Sequence, residues 1–132
     1  MKLVAVVLNW NGGEDTPRAL ASLDGIETIC VDNGSTDGSD GEVERRFPAV
    51  ELIRNGANLG YAGGNNVGIR RALERGADWV LLLNNDAEAI AAAVLDVLAN
   101  AADYRGRGLE RAASFTWERA AAQYEDVYRE LL

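Results

Sequence analysis

Four apolar segments of strand length alternate with helical patterns over the first hundred residues, and this alternation restricts the fold more than any other feature of the chain. The first segment is almost continuously apolar, which is typical of a strand covered on both faces. Short connections between strands and helices favour a parallel sheet built by right-handed crossovers. The sequence therefore predicts an α/β fold, a three-layer sandwich with a four-stranded, mainly parallel sheet. The predicted strands cover residues 3–8, 27–31, 50–53 and 79–83.

A helical pattern follows each predicted strand. We expect Thr16 to be the N-cap of the first helix, with Pro17 at its first helical position and Gly25 as its end. Asp37 is interpreted mainly as the N-cap of the second helix. The second, third and fourth helices are predicted over residues 37–47, 63–75 and 88–101.

The pattern changes after residue 101. Residues 103–108, DYRGRG, predict a loop or break, and Thr116 is expected to cap a last helix over residues 117–132. Apolar residues recur at three-and-four spacing in that segment, so it needs a surface to pack on. We therefore divide the chain into a domain of residues 1–101 and a helical tail of residues 102–132. The tail is expected to pack on the first domain or on a partner subunit, and a homodimer can form through it or through an exposed sheet edge.

The composition excludes several kinds of function. A net charge of −8 disfavours a nucleic-acid partner, because phosphate backbones need a basic surface. The chain has no histidine, which excludes histidine-based acid–base catalysis and favours Mg²⁺ or Mn²⁺, held by oxygen ligands, over Zn²⁺. Its one cysteine, Cys30, permits no internal disulfide. No apolar run approaches the roughly 20 residues needed to span a bilayer, so we expect a cytoplasmic protein without a membrane span.

Polar clusters follow three of the predicted strands. The first strand ends in Asn9-Trp10-Asn11, the second in Asp32-Asn33 and the fourth in Asn84-Asn85-Asp86. In an open parallel sheet, ligands gather outside the carboxyl ends of the strands. The topology therefore predicts a binding site at that edge of the sheet.

A glycine- and asparagine-rich segment, residues 58–68, follows the third strand. It is not a dinucleotide-binding fingerprint, because its position and spacing are wrong for one. Its glycines allow backbone to approach a ribose or diphosphate, and the helix that follows offers a positive end to phosphate. The alternative is a loop that needs only flexibility, although Asn65 and Asn66 at a helix start can both cap the helix and contact a ligand.

The motifs LNWNG, VDNGSTDGS, NLGYAGGNNVG and LLLNNDAE, in this order, resemble the donor half of family 2 glycosyltransferases, and the last of them resembles the rhamnosyltransferase branch. The resemblance covers residues 2–90. It implies a GT-A fold, truncated here, that binds a UDP- or dTDP-sugar and takes part in inverting sugar transfer. Such enzymes continue into an acceptor-binding region that holds the general base. Because this chain has no matching motif, no base is assigned.

The resemblance implies a role for Asp86 and for Asp32. Asp86 would hold Mg²⁺ or Mn²⁺ against a diphosphate, and the alternative for it is a helix N-cap. A carboxylate such as Asp32 can accept the N3–H of uracil or thymine, and an Asx-turn with Gly34 is an alternative that can hold at the same time. Asn9 is expected to form a polar wall for the base. The predicted nucleotide-binding residues are Asn9, Asn11, Asp32, Asn33, Asn58, Gly60, Tyr61, Gly63, Asn65, Asn66 and Asn85, with Asp86 as the metal ligand.

The end of the chain resembles a different family. Residues 107–112 and 114–119, followed by residues 124–132, are similar to the C-terminus of family 4 glycosyltransferases, whose last helix packs on the N-terminal domain. The sequence is therefore interpreted as the donor half of a family 2 enzyme fused to a terminal helix that is similar to that of family 4 enzymes. The competing hypothesis is a non-catalytic nucleotide-binding or oligomerising module.

Overall fold

The computed structural model of the 132-residue chain describes residues 1–88 and 91–114. The chain forms two compact units, Met1–Ile90 and Ala91–Leu132. The first unit contains the sheet and three helices. In the second unit the described residues form two further helices.

The four predicted strands are present and all run parallel. They are β1 (Leu3–Asn9), β2 (Glu27–Asp32), β3 (Glu51–Arg54) and β4 (Trp79–Asn84), in the spatial order β3-β2-β1-β4. Each strand continues one residue further than predicted, into the polar residue that follows its apolar run. The pairing explains this, because Asn9 is the register partner of Asp32, and Leu8 that of Asn84. The predicted α/β class and sheet are therefore confirmed.

Helices cover both faces of this sheet. They are α1 (Asp15–Ala21), α2 (Ser39–Arg46) and α3 (Gly60–Glu74). One face is covered by Leu20 of α1, Leu23 of the turn after α1 and Val43 of α2. These side chains pack with Val7 and Cys30 of the sheet. On the other face, Ala72 of α3 packs with the buried valines of β1 and with Ile29 and Val31 of β2. The result is the predicted three-layer arrangement.

Helices α1 and α3 have boundaries that differ from the prediction. The N-cap of α1 is Glu14 rather than Thr16, and Thr16 lies fully buried within the first turn. The same helix ends at Ala21, well before Gly25. Helix α3 begins at Gly60, three residues earlier than expected, and Gly60 has a positive φ of 73°, a conformation that favours glycine.

Asp37 lies next to the N-cap of α2 rather than at it. The N-cap is Gly38, with a positive φ of 80°, a conformation that favours glycine. Asp37 nevertheless accepts the backbone N–H of Ser39, the first helical residue, at 3.0 Å. The carboxylate therefore still binds the start of the helix, from one position further out than predicted.

β4 lies at one edge of the sheet. Among the described residues it pairs only with β1, and it carries six residues without a charge. Leu82 is 43% exposed and faces the α3 side, where α3 covers mainly β1 and β2. This strand is therefore an open apolar edge in the described part of the chain.

The second unit contains α4 (Ala91–Ala99) and α5 (Ala101–Ala113). The prediction of a loop or break over residues 103–108 is wrong, because α5 includes these residues and remains helical at both Gly106 and Gly108. Asn100 joins the two helices, and Tyr104 donates its hydroxyl to the carboxylate of Asp96 at 2.7 Å. The predicted boundary after residue 101 falls at the start of α5. The cap Thr116 and the last helix, residues 117–132, lie outside the described residues. No helix in the described part is both long and apolar enough to cross a membrane.

Candidate functional site

An open cavity of about 400 Å³ lies at the carboxyl ends of β1, β2 and β4, beside the start of α3. Residues from all three polar clusters and from the glycine-rich segment meet there, as the topology predicted. The lining residues are Leu8, Trp10, Asn33, Asn58, Gly60, Tyr61, Asn84, Asn85 and Asp86. We refer to this cavity as the strand-end pocket.

Half of the predicted site residues line this pocket. They are Asn33, Asn58, Gly60, Tyr61, Asn85 and Asp86. Three further residues line the pocket: Trp10 and Asn84 belong to the polar clusters that predicted a site at this edge, and Leu8 had no predicted role. The missing signal was strand register, because Asn84 is the partner of Leu8 in the ladder and the two therefore reach the same edge together.

Asn33 is a buried centre of the pocket wall. Its side chain is 2% exposed and forms hydrogen bonds in both directions. The amide nitrogen donates to the side-chain oxygen of Asn58 at 2.9 Å, and the amide oxygen accepts from the side chain of Asn55 and the backbone N–H of Leu59, each at 3.1 Å. Asn33 therefore fixes the glycine-rich segment against the end of β2.

Tyr61 connects the start of α3 to the end of β4. Its ring is 62% exposed, and its hydroxyl donates to the side-chain oxygen of Asn84 at 3.0 Å. Trp10, on the loop after β1, is also more than half exposed and lines the same pocket. Two aromatic side chains thus stand at a polar pocket with large accessible surfaces, a feature suited to stacking on a planar ligand group.

Asp32 is buried and is used within the fold. One carboxylate oxygen accepts from the side chain of Asn9 at 2.9 Å, and the other accepts the backbone N–H groups of Gly34 and Ser35 at 3.2 and 3.1 Å. The bond to Gly34 is the Asx-turn weighed as an alternative. Asp32 is 4% exposed and is not part of the pocket lining.

Asn9 lies behind Asp32 and has no accessible surface. Its amide nitrogen also lies 3.1 and 2.8 Å from the hydroxyl oxygens of Ser35 and Ser39, so its two N–H groups are shared among these hydroxyls and Asp32. Its oxygen accepts the hydroxyl of Thr16 at 2.6 Å. A side chain so enclosed supports its neighbours and offers no surface to the cavity, whereas it was expected to form a polar wall for the base. Sequence reasoning did not identify Thr16, Ser35 or Ser39 as part of the site, since tertiary bonds of this kind leave no periodic pattern.

Asn11 joins two loops beside the pocket. It is the non-glycine residue with a positive φ, 51°, in the described chain, a conformation that asparagine tolerates. Its backbone N–H donates to Ser35, and its side-chain oxygen accepts the backbone N–H of Thr36 at 2.8 Å. The loop after β1 is therefore attached to the loop after β2.

The remaining predicted residues lie along α3, away from the lining. Asn65 is buried and donates to the backbone oxygen of Tyr61 at 3.0 Å, while Asn66 is exposed and Gly63 is partly buried. Gly64 and Gly68 bring the helix close to the sheet. A Cβ at Gly64 would lie 2.4 Å from a methyl carbon of Leu8.

Asp86 is exposed at the pocket rim, in the turn after β4. No other described residue forms an ion pair with it, and no group of three acidic, cysteine or histidine side chains suited to a metal is found in the described ranges. The possible metal ligands in this turn are the side-chain oxygen atoms of Asn84, Asn85 and Asp86. This set fits Mg²⁺ or Mn²⁺, which proteins commonly hold with one or two carboxylates plus substrate phosphates and water.

A larger open cavity, of about 620 Å³, lies at the opposite end of the sheet, at the starts of β2 and β3. It is lined by the turn after α1 and by residues 46–50, and it contains none of the strand-end polar residues. Size therefore does not identify the functional site here. The chemistry of the lining favours the smaller strand-end pocket.

Known proteins share both the sequence pattern and the fold of this chain. The sequence profile of glycosyl transferase family 2 matches residues 5–109 and so continues past residue 90, where the motif resemblance ended. The chain is 33% identical over 99 residues to the N-acetylglucosaminyl-diphospho-decaprenol L-rhamnosyltransferase of Mycobacterium tuberculosis, covering 65% of this chain and 32% of that protein. It is 35% identical over 88 residues to the low-salt glycan biosynthesis hexosyltransferase Agl10 of Haloferax volcanii, covering 65% of this chain and 28% of that protein.

Solved structures show the same fold. The chain superposes on S. aureus TarS in complex with UDP with a TM-score of 0.65 at 22% identity, over 80% of this chain and 33% of that one. TarS in complex with UDP-GlcNAc gives a TM-score of 0.63 at 23% identity, over 80% of this chain and 32% of that one. The chain spans about a third of the length of the curated relatives that it matches. The resemblance of the C-terminal residues to family 4 stays a prediction.

Proposed function

The chain belongs to glycosyl transferase family 2, and on that premise we propose that its strand-end pocket binds a UDP- or dTDP-sugar together with Mg²⁺ or Mn²⁺ and takes part in sugar transfer. The observation that carries the proposal is the convergence of the β1, β2 and β4 polar ends with the glycine-rich segment around one cavity. The relatives support the class of ligand, since TarS has been solved with UDP and with UDP-GlcNAc.

In this proposal the two sides of the pocket have separate tasks. Asp32 is on the base side, where a carboxylate oxygen that accepts a single internal hydrogen bond retains a lone pair for an N3–H. Asn33, Asn58 and Gly60 lie where ribose or phosphate oxygen atoms would meet amide groups. Asn9 and Asn11 act through the residues they hold.

Asp86, with Asn85 beside it, would hold the divalent cation. The cation would neutralise the charge that develops on a departing diphosphate. The chain contributes the position of the carboxylate at the end of an ordered strand. The carboxylate is exposed and forms no ion pair with another described residue, so a cation and phosphate oxygens can reach it without breaking a salt bridge.

Thermal unfolding with UDP or dTDP, each with Mn²⁺ or with EDTA, tests this proposal. A ligand at 100 times its dissociation constant adds about 2.7 kcal/mol, which is roughly a 10 °C rise for a domain of this size. We expect the rise to require Mn²⁺, to disappear in Asp86→Asn and to persist in the matched control Asp24→Asn, an exposed aspartate in the turn after α1. No rise with either nucleotide would contradict the proposal.

The second candidate is a nucleotide-binding module without transfer activity. It is favoured by the lining of the strand-end pocket, where Asp86 is the one carboxylate among the described residues and is assigned to the cation. The described lining therefore offers no separate general base, a group worth a factor of about 10²–10⁴. Incubation with dTDP- and UDP-linked rhamnose and N-acetylglucosamine, the sugars in the relatives' names, distinguishes the two. Released nucleotide with a new glycoside supports the enzyme, and metal-dependent binding without turnover supports the module.

The quaternary structure and location are part of the same proposal. The open edge of β4 can pair with a second copy, and the C-terminal helix predicted over residues 117–132 offers another contact. Light scattering of the full chain and of Leu82→Lys measures the first contact, because a charge on an edge strand opposes pairing. The proposed compartment is the cytoplasm, and no nucleic-acid partner is proposed.

A further inference from the structure

Thr16 connects two strand ends that carry separate parts of the site. Its hydroxyl donates to the side-chain oxygen of Asn9 at 2.6 Å and accepts from the side-chain nitrogen of Asn85 at 3.3 Å. Both Thr16 and Asn9 are fully buried. A hydroxyl can donate and accept at once, so Thr16 satisfies an acceptor on one neighbour and a donor on the other.

The hydrogen bonds continue from Asn9 to the end of β2, beside the pocket, where the proposed function places the nucleotide base. Asn9 donates to Asp32 at 2.9 Å, at the end of β2. A path of three side-chain hydrogen bonds therefore runs from Asn85, next to Asp86 after β4, through Thr16 and Asn9 to Asp32. The three buried members of this path, Thr16, Asn9 and Asp32, all have hydrogen-bond partners, and buried networks are strong when their members are satisfied.

Gly12 gives a second, independent sign that this junction is tightly set. A Cβ built on Gly12 would lie 2.2 Å from the Thr16 hydroxyl, 2.3 Å from the Asn85 amide nitrogen and 2.7 Å from the Asn9 amide oxygen. The backbone of the loop after β1 therefore closes over the same three atoms and leaves no room for a side chain. Gly12 is needed here for space rather than for an unusual φ.

We propose that Thr16 is a positioning residue of the donor site: its hydroxyl sets Asn85, and with it the turn that carries Asp86, against the base-side carboxylate at the end of β2. This inference rests on the proposed function. A cation shared between Asp86 and a diphosphate requires the two sides of the pocket to keep a fixed separation, and small errors in such distances weaken binding. A residue outside the pocket lining thereby affects what the lining binds.

Three variants separate this role from ordinary packing. Thr16→Val keeps the shape and removes the hydroxyl, while Thr16→Ser keeps the hydroxyl and removes a methyl group. Thr28→Val is the matched control, since Thr28 is also buried, and its hydroxyl donates to the backbone oxygen of Ile26 at 2.8 Å at the other end of β2. Each threonine hydroxyl is thus removed from a buried place, but only Thr16 is linked to the pocket.

The first readout needs no ligand. In ¹⁵N–¹H NMR spectra of the full chain, we expect the side-chain amide of Asn85 and the backbone amides of residues 84–86 to shift in Thr16→Val and to keep their native positions in Thr16→Ser and Thr28→Val. If Thr16→Val does not fold, Asn85→Ala replaces it and should shift the side-chain amide of Asn9 and the backbone amide of Thr16. Unshifted spectra in the folded variant would overturn the proposal.

The second readout is the gain in UDP affinity that Mn²⁺ produces. We expect this gain to fall about threefold to tenfold in Thr16→Val, the value of one hydrogen bond, while UDP affinity in EDTA changes less than twofold. Thr16→Ser and Thr28→Val should retain the native gain. If the native chain shows no gain, the metal part of the proposed function fails, and this inference fails with it. If the native chain shows the gain and Thr16→Val retains it, only the positioning role of Thr16 is overturned.

Discussion

The amide nitrogen of Asn9 lies 2.9 Å from a carboxylate oxygen of Asp32, and the two residues are register partners at the ends of β1 and β2. Both side chains are buried, so the pair joins the central strands with polar groups where the apolar ladder stops. A buried polar side chain that satisfies several partners is costly to replace, because each partner is then left without its bond. The pair therefore stabilises the fold as well as shaping the site.

Replacing Asn9 by Asp tests this pair with almost no change in shape. The variant would bring a second carboxylate beside Asp32 and remove the donor shared with Ser35 and Ser39. We expect a loss of more than about 3 kcal/mol in unfolding free energy at pH 7, measured by urea titration. The penalty should shrink as the pH falls, because a protonated carboxyl can donate again. Asn66→Asp, the same change at an exposed position of α3, should alter stability by less than about 0.5 kcal/mol.

Two glycines in helices should respond to alanine in opposite ways. A Cβ at Gly68 would lie 2.3 Å from a methyl carbon of Val6, a rigid β-branched side chain in the core, whereas a Cβ at Gly41 of α2 meets nothing within 4 Å. We expect Gly68→Ala to lower the free energy of unfolding by about 1–3 kcal/mol. Gly41→Ala should raise it by about 0.5–1 kcal/mol through helix propensity alone. Urea unfolding of both variants measures the difference, and the same sign in both would contradict this packing.

Asp37 should contribute to stability in a pH-dependent way. The bonds that it accepts from the hydroxyl and backbone N–H of Ser39, followed by that from the N–H of Gly13, hold the pKa of its carboxyl below the usual range. A depressed pKa gives stability that is present above the unfolded value of about 3.9 and is lost as the pH falls through the folded value. Asp37→Asn should therefore be less stable than the native chain, by about 1 kcal/mol at pH 7. In unfolding curves from pH 7 to pH 2 this difference should narrow below about pH 4. A constant difference over that range would exclude the mechanism.

Cys30 should be inert in the folded chain. Burial, with a smaller effect from the nearby charge of Asp32, raises the pKa of its thiol to about 12. At pH 8 we expect a thiol-reactive dye to label the native chain at least about a thousandfold more slowly than the chain in guanidinium, because only the unfolded fraction reacts. Fast labelling of the native chain would mean that the core around Cys30 opens locally.

The same thiol adds an alkaline limit to stability. A raised pKa gives stability that is complete below the unfolded value of about 8.5 and declines as the pH rises toward the folded value. The unfolding free energy should therefore fall by up to about 1.4 kcal/mol per pH unit above that point through this residue alone. Cys30→Ala should lack this component, which parallel unfolding curves from pH 7 to pH 10 would reveal as a narrowing difference between the two chains.

The sheet could be predicted from the sequence because each strand holds consecutive apolar residues with a polar residue directly after them, although in β3 the apolar residues are only Leu52 and Ile53. The helices were harder. Thr16 followed by Pro17 is good capping chemistry, but a tertiary bond to Asn9 places Thr16 inside the helix instead. Gly106 and Gly108 suggested a break that α5 does not make, because propensity is a weak signal over two residues.

The site was predictable in its place and not in its internal contacts. Topology brings the strand ends together, so Asn33, Asn85 and Asp86 were found on one cavity. Which amide is buried and which faces the cavity depends on pairing between residues that are 20 to 70 positions apart, as for Asn85 and Thr16 with a separation of 69. No local pattern records such a separation.

Helix α3 is fitted to β1 at two points, where Gly64 and Gly68 face methyl carbons of Leu8 and Val6. A helix held in this way cannot slide along the sheet in either direction, because the next side chain in line would meet one of those methyl groups. The start of α3 is also one wall of the strand-end pocket, through Gly60. We therefore expect that wall to stay fixed when a ligand enters. Adjustment to a ligand would then fall to exposed side chains of the lining, such as Trp10, which is 56% exposed.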